Sequence, residues 1–339
     1  MKKIITLAIV TGFTMIANAQ VTFQKTYGGI NSDEGYSVQS TSDGGYIISG
    51  RTSSFGAGNV DMYLVKIDSH GNLIWAKTFG GVFNDYAWCA QQTSDGGYII
   101  IGGSYSFSGT TSDVYLVKTD ASGNAQWSKT LGTPGNDNEY WGQQTEDNGY
   151  IIVGYTGNNG DIYLLKTDST GNLIWTKTFG GTNVENGFYV QQTSDAGYVI
   201  VGSTQSFGQG SFDVYLLKTD SIGNLLWSKA LGGTGSDEGY CVQQTSDAGY
   251  IITGKSTAFC PDTSEICLIK TDESGNLLWS KTFRGPTAFN FARSVQQSLD
   301  GGYVIVGSTQ SFSHEYDIYL LKTDTTGNLL WSKTFGGTK

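Results

Sequence analysis

Trp75, Trp127, Trp175, Trp227, Trp279 and Trp331 each open a W-x-K-x-[FL] stretch, at spacings of 52, 48, 52, 52 and 52 residues. An earlier copy, FQKTYGG at 23–29, lies 52 residues before Trp75 with Phe23 in the tryptophan position. One such unit is too small to bury its own apolar faces, so neighbouring copies must stack on one another. The period therefore decides the architecture before any local motif is weighed.

Each unit divides into four strand-like pieces. The first carries glutamines, as in GYCVQQT (239–245), and a turn such as SDAG leads to the second, YIITG (250–254). A variable loop follows, then a third piece such as DVYLLKT (213–219), a D-x-x-G-N turn, and a fourth such as LLWSKTFGG (329–337). Runs rich in β-branched and aromatic residues, punctuated by Asp-Gly and Gly-Asn at this spacing, are antiparallel meanders. The 48 glycines against three prolines fit many short strands joined by tight turns. No segment shows a useful helical period.

Four strands in about 50 residues, marked by Gly and Trp, define a β-propeller blade more closely than a solenoid repeat, which is usually shorter. The spacing predicts an all-β, six-bladed propeller with blades at about 34–81, 85–133, 138–181, 186–233, 238–285 and 290–337. Residues 21–29 then form an extra strand that closes the ring, although the last unit already has a fourth strand of its own. The pattern D-x-Y-L-[LV]-K-[TI]-D-x-x-G-N-x-x-W resembles the repeats of secreted bacterial β-propeller proteins over residues 23–339. More loosely, it is similar to the blades of quinoprotein dehydrogenases. Those enzymes resemble larger propellers with adjacent cysteines by the cofactor, which this chain lacks, so no cofactor is expected.

The ends and the charge set the compartment. Lys2-Lys3, the apolar run from Ile4 to Ala17 and the small residues Ala17-Asn18-Ala19 read as a signal peptide over 1–19, leaving one propeller domain over 20–339. The expected product is exported, extracellular or at the cell surface, with the periplasm as another destination. Losing Lys2 and Lys3 takes the formal charge from −10 to −12, which argues against a nucleic-acid partner. No other segment has the apolar length of a membrane span, and a monomer is expected.

The turns after strands one and three repeat almost unchanged and share one face of the ring. The loops after strands two and four diverge, among them RTSSFGAGNVD (51–61), YTGNNGD (155–161), KSTAFCPDTSE (255–265) and STQSFSHEYD (308–317). Loops on a rigid scaffold carry function, so the variable face is where a ligand is expected.

Repetition itself disposes of most local motifs. The six D-x-x-G-N turns each hold one carboxylate, which suits a hairpin; a calcium loop needs more oxygens. No helix follows the Gly doublets, so they do not form phosphate loops. The six Trp read as packing between blades, and the Gln pairs as amides that satisfy one another around the ring. Two histidines, His70 and His314, are too few for a His-based metal site, and no nucleophile turn is present, so neither a metal nor a catalytic residue is assigned. Cys89 and Cys241 occupy equivalent positions of blades two and five and read as buried thiols. Cys260 and Cys267 flank one variable loop and form the disulfide candidate.

The outliers are more informative. Only three arginines follow residue 19, and each breaks the repeat. Arg51 follows the second strand of blade one, with Lys255 at the same position of blade five. Arg284 replaces a doublet glycine, and Arg293 takes a position held elsewhere by Tyr, Trp or Phe. These four cations, with Trp88 and Trp141 as stacking surfaces, form the candidate ligand site; pairing with acids such as Glu265 or Glu315 is the purely structural alternative. The expected function is a binding or scaffold propeller that recognises a carbohydrate or protein partner. A glycan hydrolase or lyase, or a module of a cell-surface assembly, are the alternatives.

Overall fold

The computed structural model describes residues 23–107, 111–132, 137–156, 160–257, 264–284, 289–310 and 317–335. They form six four-stranded antiparallel sheets, each built from strands consecutive in sequence. In blade one these are β1 (Asp33–Ser40), β2 (Tyr46–Thr52), β3 (Asp61–Ile67) and β4 (Leu73–Phe79). The first strands of the following blades are β5 (Asp85–Gln92), β9 (Asp137–Gln144), β13 (Glu185–Gln192), β17 (Asp237–Gln244) and β21 (Asn290–Gln297). Blade six continues with β22 (Tyr303–Thr309), β23 (Asp317–Thr323) and β24 (Leu329–Phe335). The chain is a six-bladed β-propeller, as its period predicts.

The first strands pack on one another from blade to blade and so line the axis. In blades two to five the middle strands are mostly apolar and buried on both faces, with Ile151, Leu164, Val199 and Leu216 wholly inaccessible. Their alternating side chains feed two inter-blade cores. Ile151, Val153, Ile162 and Leu164 of blade three, for example, meet Val190, Tyr198, Ile200, Tyr215 and Leu217 of blade four. Burial of this kind stabilises at roughly 25 cal/mol per Å² of apolar surface.

The turns behave as the repeats imply. Asp168 Oδ1 accepts from the backbone N–H groups of Thr170 and Asn172 at 2.8 and 2.9 Å, while Gly171 takes a φ of 78°. Trp127 of the preceding blade lies against Gly171, so that a Cβ there would fall 2.7 Å from the indole. The outer-strand Trp of blades one to five also meets the first Tyr of the next blade's second strand edge-on or tilted, as in Trp175–Tyr198 at 6.1 Å. The glutamines form a relay between blades: Ser194 N donates to Gln244 Oε1 at 2.9 Å, and Gln244 N donates to Gln191 Oε1 at 2.7 Å.

Residues 23–29 join no sheet, and blade six takes β24 as its own outer strand. The closing strand expected over 21–29 is therefore not paired with the last blade. Consecutive blades pack from one to six, but among the described residues the strands of blades six and one show no comparable packing. The signal peptide expected over 1–19 lies outside the described residues. Among the described residues no helix is long and apolar enough to cross a membrane.

Candidate functional site

Every first strand carries a bulge, between Gly35 and Ser37, Ala87 and Cys89, Gly187 and Tyr189, Gly239 and Cys241, and Ala292 and Ser294; in blade three the second strand slips against Glu139 and Trp141. A bulge adds one residue to one strand and re-aims its side chain. The added residues are Tyr36, Trp88, Tyr140, Phe188, Tyr240 and Arg293, and they follow one another around the axis. Tyr36 stacks on Trp88 at 4.8 Å, Trp88 meets Tyr140 at 6.1 Å, Tyr140 meets Phe188 at 5.0 Å, and Phe188 meets Tyr240 at 5.2 Å. The Arg293 guanidinium completes the series, 5.0 Å from the Tyr240 ring and 4.7 Å from that of Phe291. The result is an aromatic funnel near the variable-loop end of the first strands.

The next residue along each strand forms the floor. Trp141 stacks on Tyr189 at 4.6 Å, and the Tyr189 hydroxyl bonds to the Cys241 thiol. Burial first, then the nearby Cys241 and Cys89 thiols, push the Tyr189 hydroxyl well above its ordinary value. Cys89 and Cys241 are buried, as their positions suggest. The indole Nε1 of Trp141 is a buried donor with no acceptor among the described residues.

Two acid–cation pairs sit beside the funnel, and the sheet register creates both. Arg51 lies opposite Glu34, with Nη2 2.5 Å from Oε1, and Lys255 lies opposite Glu238, with Nζ 2.9 Å from Oε1. Each acid also accepts from a funnel tyrosine, Tyr36 at 3.1 Å and Tyr240 at 2.9 Å. The bond from Arg51 holds Glu34 below the usual carboxylate range. Burial pushes the Tyr36 hydroxyl up to about 12 against the pull of Arg51, and burial together with the charge of Glu238 raises Tyr240.

The six residues singled out in the sequence thus separate. Arg293 and Trp88 are in the funnel wall, Trp141 is in its floor, and Arg51 and Lys255 stand at its side, bound to glutamates. Arg284 is elsewhere, at the outer end of blade five, with Nε 3.9 Å from Glu265 Oε1. Among the described residues no acid lies within ion-pair distance of Arg293. Tyr36, Tyr140, Phe188 and Tyr240 were hidden as site residues because they look like ordinary repeat positions; the substitution of Arg293 into their column was the available signal. Cys260, His314 and Glu315 lie outside the described residues, while Cys267 is a buried thiol in a third strand, raised to about 12 by burial and the charge of Asp237.

No curated protein matches the chain. Among solved structures it resembles Sqt1 from Chaetomium thermophilum (14% identity, TM-score 0.51, covering 88% of this chain and 71% of that one). It is also similar to the Pan2 WD40 domain of Neurospora crassa (10% identity, TM-score 0.56, covering 89% and 78%). Puromycin hydrolase matches with 14% identity and a TM-score of 0.53 over 89% of this chain, which spans only 45% of the hydrolase. At such identities the likeness concerns the fold alone. The family described as outer membrane protein assembly factor BamB matches residues 158–339, more than half of the sequence, and the chain belongs to that family of quinoprotein-type propeller repeats.

Proposed function

We propose that this protein is an exported binding propeller whose axial funnel holds the end of an acidic carbohydrate chain. The observation that carries the reading is the funnel wall itself: five aromatic side chains in mutual contact and one arginine in the sixth place. Aromatic faces stack on the C–H surfaces of sugar rings, and a ring of them grips a chain end from several sides. Arg293 lies on aromatic faces and has no acid neighbour among the described residues, so its fork is available to a carboxylate or sulfate. Glu34 and Glu238, paired with Arg51 and Lys255, supply acceptors for sugar hydroxyls.

Binding of the exported protein to an array of neutral and acidic glycans tests this. Acidic glycans should be retained, Arg293→Ala should weaken that retention at least about tenfold, and Trp88→Ala should weaken acidic and neutral glycans alike. Equal retention by wild type and Arg293→Ala would overturn the reading. The family's description as an assembly factor favours a second reading, in which the same face receives a polypeptide. Retention of unfolded or extended peptides, but of no glycan, would select it.

A further inference from the structure

The two ends of the propeller arc present apolar sheet faces that every other blade buries. Ile318 is 55% exposed, whereas Val214 at its position in blade four is wholly buried; Val38 is 62% exposed, whereas Val190 is wholly buried. Val306, Trp331 and Phe335 extend the exposed face of blade six. Exposed faces of this kind on a sheet mark a place where something packs.

Residues 23–29 show what that something is. Phe23 meets Tyr46 edge-on at 6.3 Å, as Trp75 meets Tyr98 at 5.6 Å. Lys25 Nζ donates to Asn72 Oδ1 at 2.7 Å, as Lys77 Nζ donates to Asn124 Oδ1 at 3.1 Å. Gly29 N donates to Asp33 Oδ2 at 2.8 Å, as Gly81 N donates to Asp85 Oδ2 at 2.8 Å. By all three contacts, the segment occupies the place of a fourth strand belonging to a unit before blade one. It lacks the third strand that pairs with each other fourth strand. On the opposite side, Trp331 is 40% exposed and, among the described residues, carries Lys333 alone over its ring. It stands where its equivalents meet a tyrosine and a D-x-x-G-N glycine of a following unit.

We infer that the seam between blades six and one takes up strands one to three of a further unit of the same repeat, with residues 23–29 as its outer strand. The occupant is a polypeptide segment of this repeat pattern, because both faces ask for the same residues. Its tyrosine and turn glycine cover Trp331, its turn asparagine receives Lys333, and its third strand pairs with 23–29. A second copy of the propeller is a poor fit, since 23–29 already holds the outer part of the seam. The glutamine relay does not reach back from blade one, where Ser40 stands in the glutamine position, so the occupant is held by apolar packing and by the outer strand.

A separate polypeptide copying residues 185–224, the first three strands and turn of blade four, is added to the full protein, and amide exchange is followed. A second arm fuses the same copy behind Lys339. Exchange in β2, β22 and β23 should slow at least about tenfold, with β9 and β13 unchanged. Val38→Lys or Ile318→Lys, both at exposed positions, should abolish the slowing. No slowing in either arm would overturn the inference. So would a dimer of the unmodified protein that these substitutions dissociate, because a second copy would then be the occupant.

Discussion

Lys218 Nζ lies 2.8 Å from Asp195 Oδ2 and donates to Thr219 O at 2.9 Å, which holds an ammonium almost wholly inside the sheet. The lysine side chain is 5% exposed and the aspartate 57%. Equivalent pairs, Lys66–Asp43, Lys118–Asp95, Lys166–Asp147, Lys270–Asp247 and Lys322–Asp300, tie the third strand of every blade to its first turn. The repeated Asp of the S-D-x-G turn is therefore both a turn residue and a counter-ion. Removing one partner of a buried pair is costly because the other charge is left behind. Asp195→Ala should destabilise by about 1–3 kcal/mol, reduced from the fully buried case by the exposure of the aspartate. Lys218→Met should cost less, since the remaining carboxylate faces water. Denaturant midpoints at unchanged slope measure both.

The acid response should have two limbs. Burial, then the charge of Asp237, raises Asp213 to about 6; burial likewise raises Asp61 and Asp161, with Asp85 and Glu185 as their acidic neighbours. A carboxyl whose folded pKa lies above its unfolded value binds its proton more tightly when folded. Stability therefore increases as pH falls from about 7 towards 4. Asp95 and Asp195 go the other way: against burial, their bonds from Lys118 and Lys218 and from nearby Thr and Gly hold them at about 2. Their contribution is complete above about pH 4 and is lost as pH falls through 2. Melting temperature should pass through a maximum near pH 4–5, and Asp213→Asn should flatten the limb between about pH 7 and 5.

Two glycines separate the demands of the backbone from those of the neighbouring blade. Gly96 and Gly171 both have positive φ, 82° and 78°, but a Cβ at Gly96 would meet nothing within 4 Å, and one at Gly171 would strike Trp127. Gly96→Ala should cost about 1–2 kcal/mol from the left-handed conformation alone. Gly171→Ala adds overpacking of roughly 1–3 kcal/mol. Equal losses in thermal or denaturant unfolding would show that the Trp contact contributes nothing.

The repeat period, the strand order and the hairpin turns were legible in the sequence because each is set locally, by alternation and by Gly, Asn and Asp. The pairing of Arg284 with Glu265 was legible only as the alternative reading of the four outlying cations. The funnel was not. Its side chains reach the axis because a one-residue bulge shifts the first strand against the second, and register is a relation between strands. Trp88 and Trp141 looked alike as unrepeated aromatics, yet one residue of offset from the bulge puts Trp88 in the wall and Trp141 in the floor. The exposed seam was equally hidden: Ile318 and Val214 sit in nearly the same local sequence, DIYLLKT against DVYLLKT, and the neighbour on the far side sets their exposure apart.

Trp141 offers the sharpest check of that offset. Its ring stacks on Tyr189 with an interplanar angle of 20° and packs against the cores on both sides of blade three, while its Nε1 donor is buried without an acceptor among the described residues. An unsatisfied buried donor costs about 1–3 kcal/mol. Trp141→Phe removes that cost and keeps an aromatic ring against Tyr189, but gives up part of the ring's volume. The two effects oppose each other, so stability should change by less than about 1 kcal/mol. Trp141→Ala removes the stack as well and should cost about 3–5 kcal/mol. Chemical denaturation of the two variants beside wild type measures the difference. A Phe variant as unstable as the Ala variant would mean that the indole N–H is bonded in the folded protein.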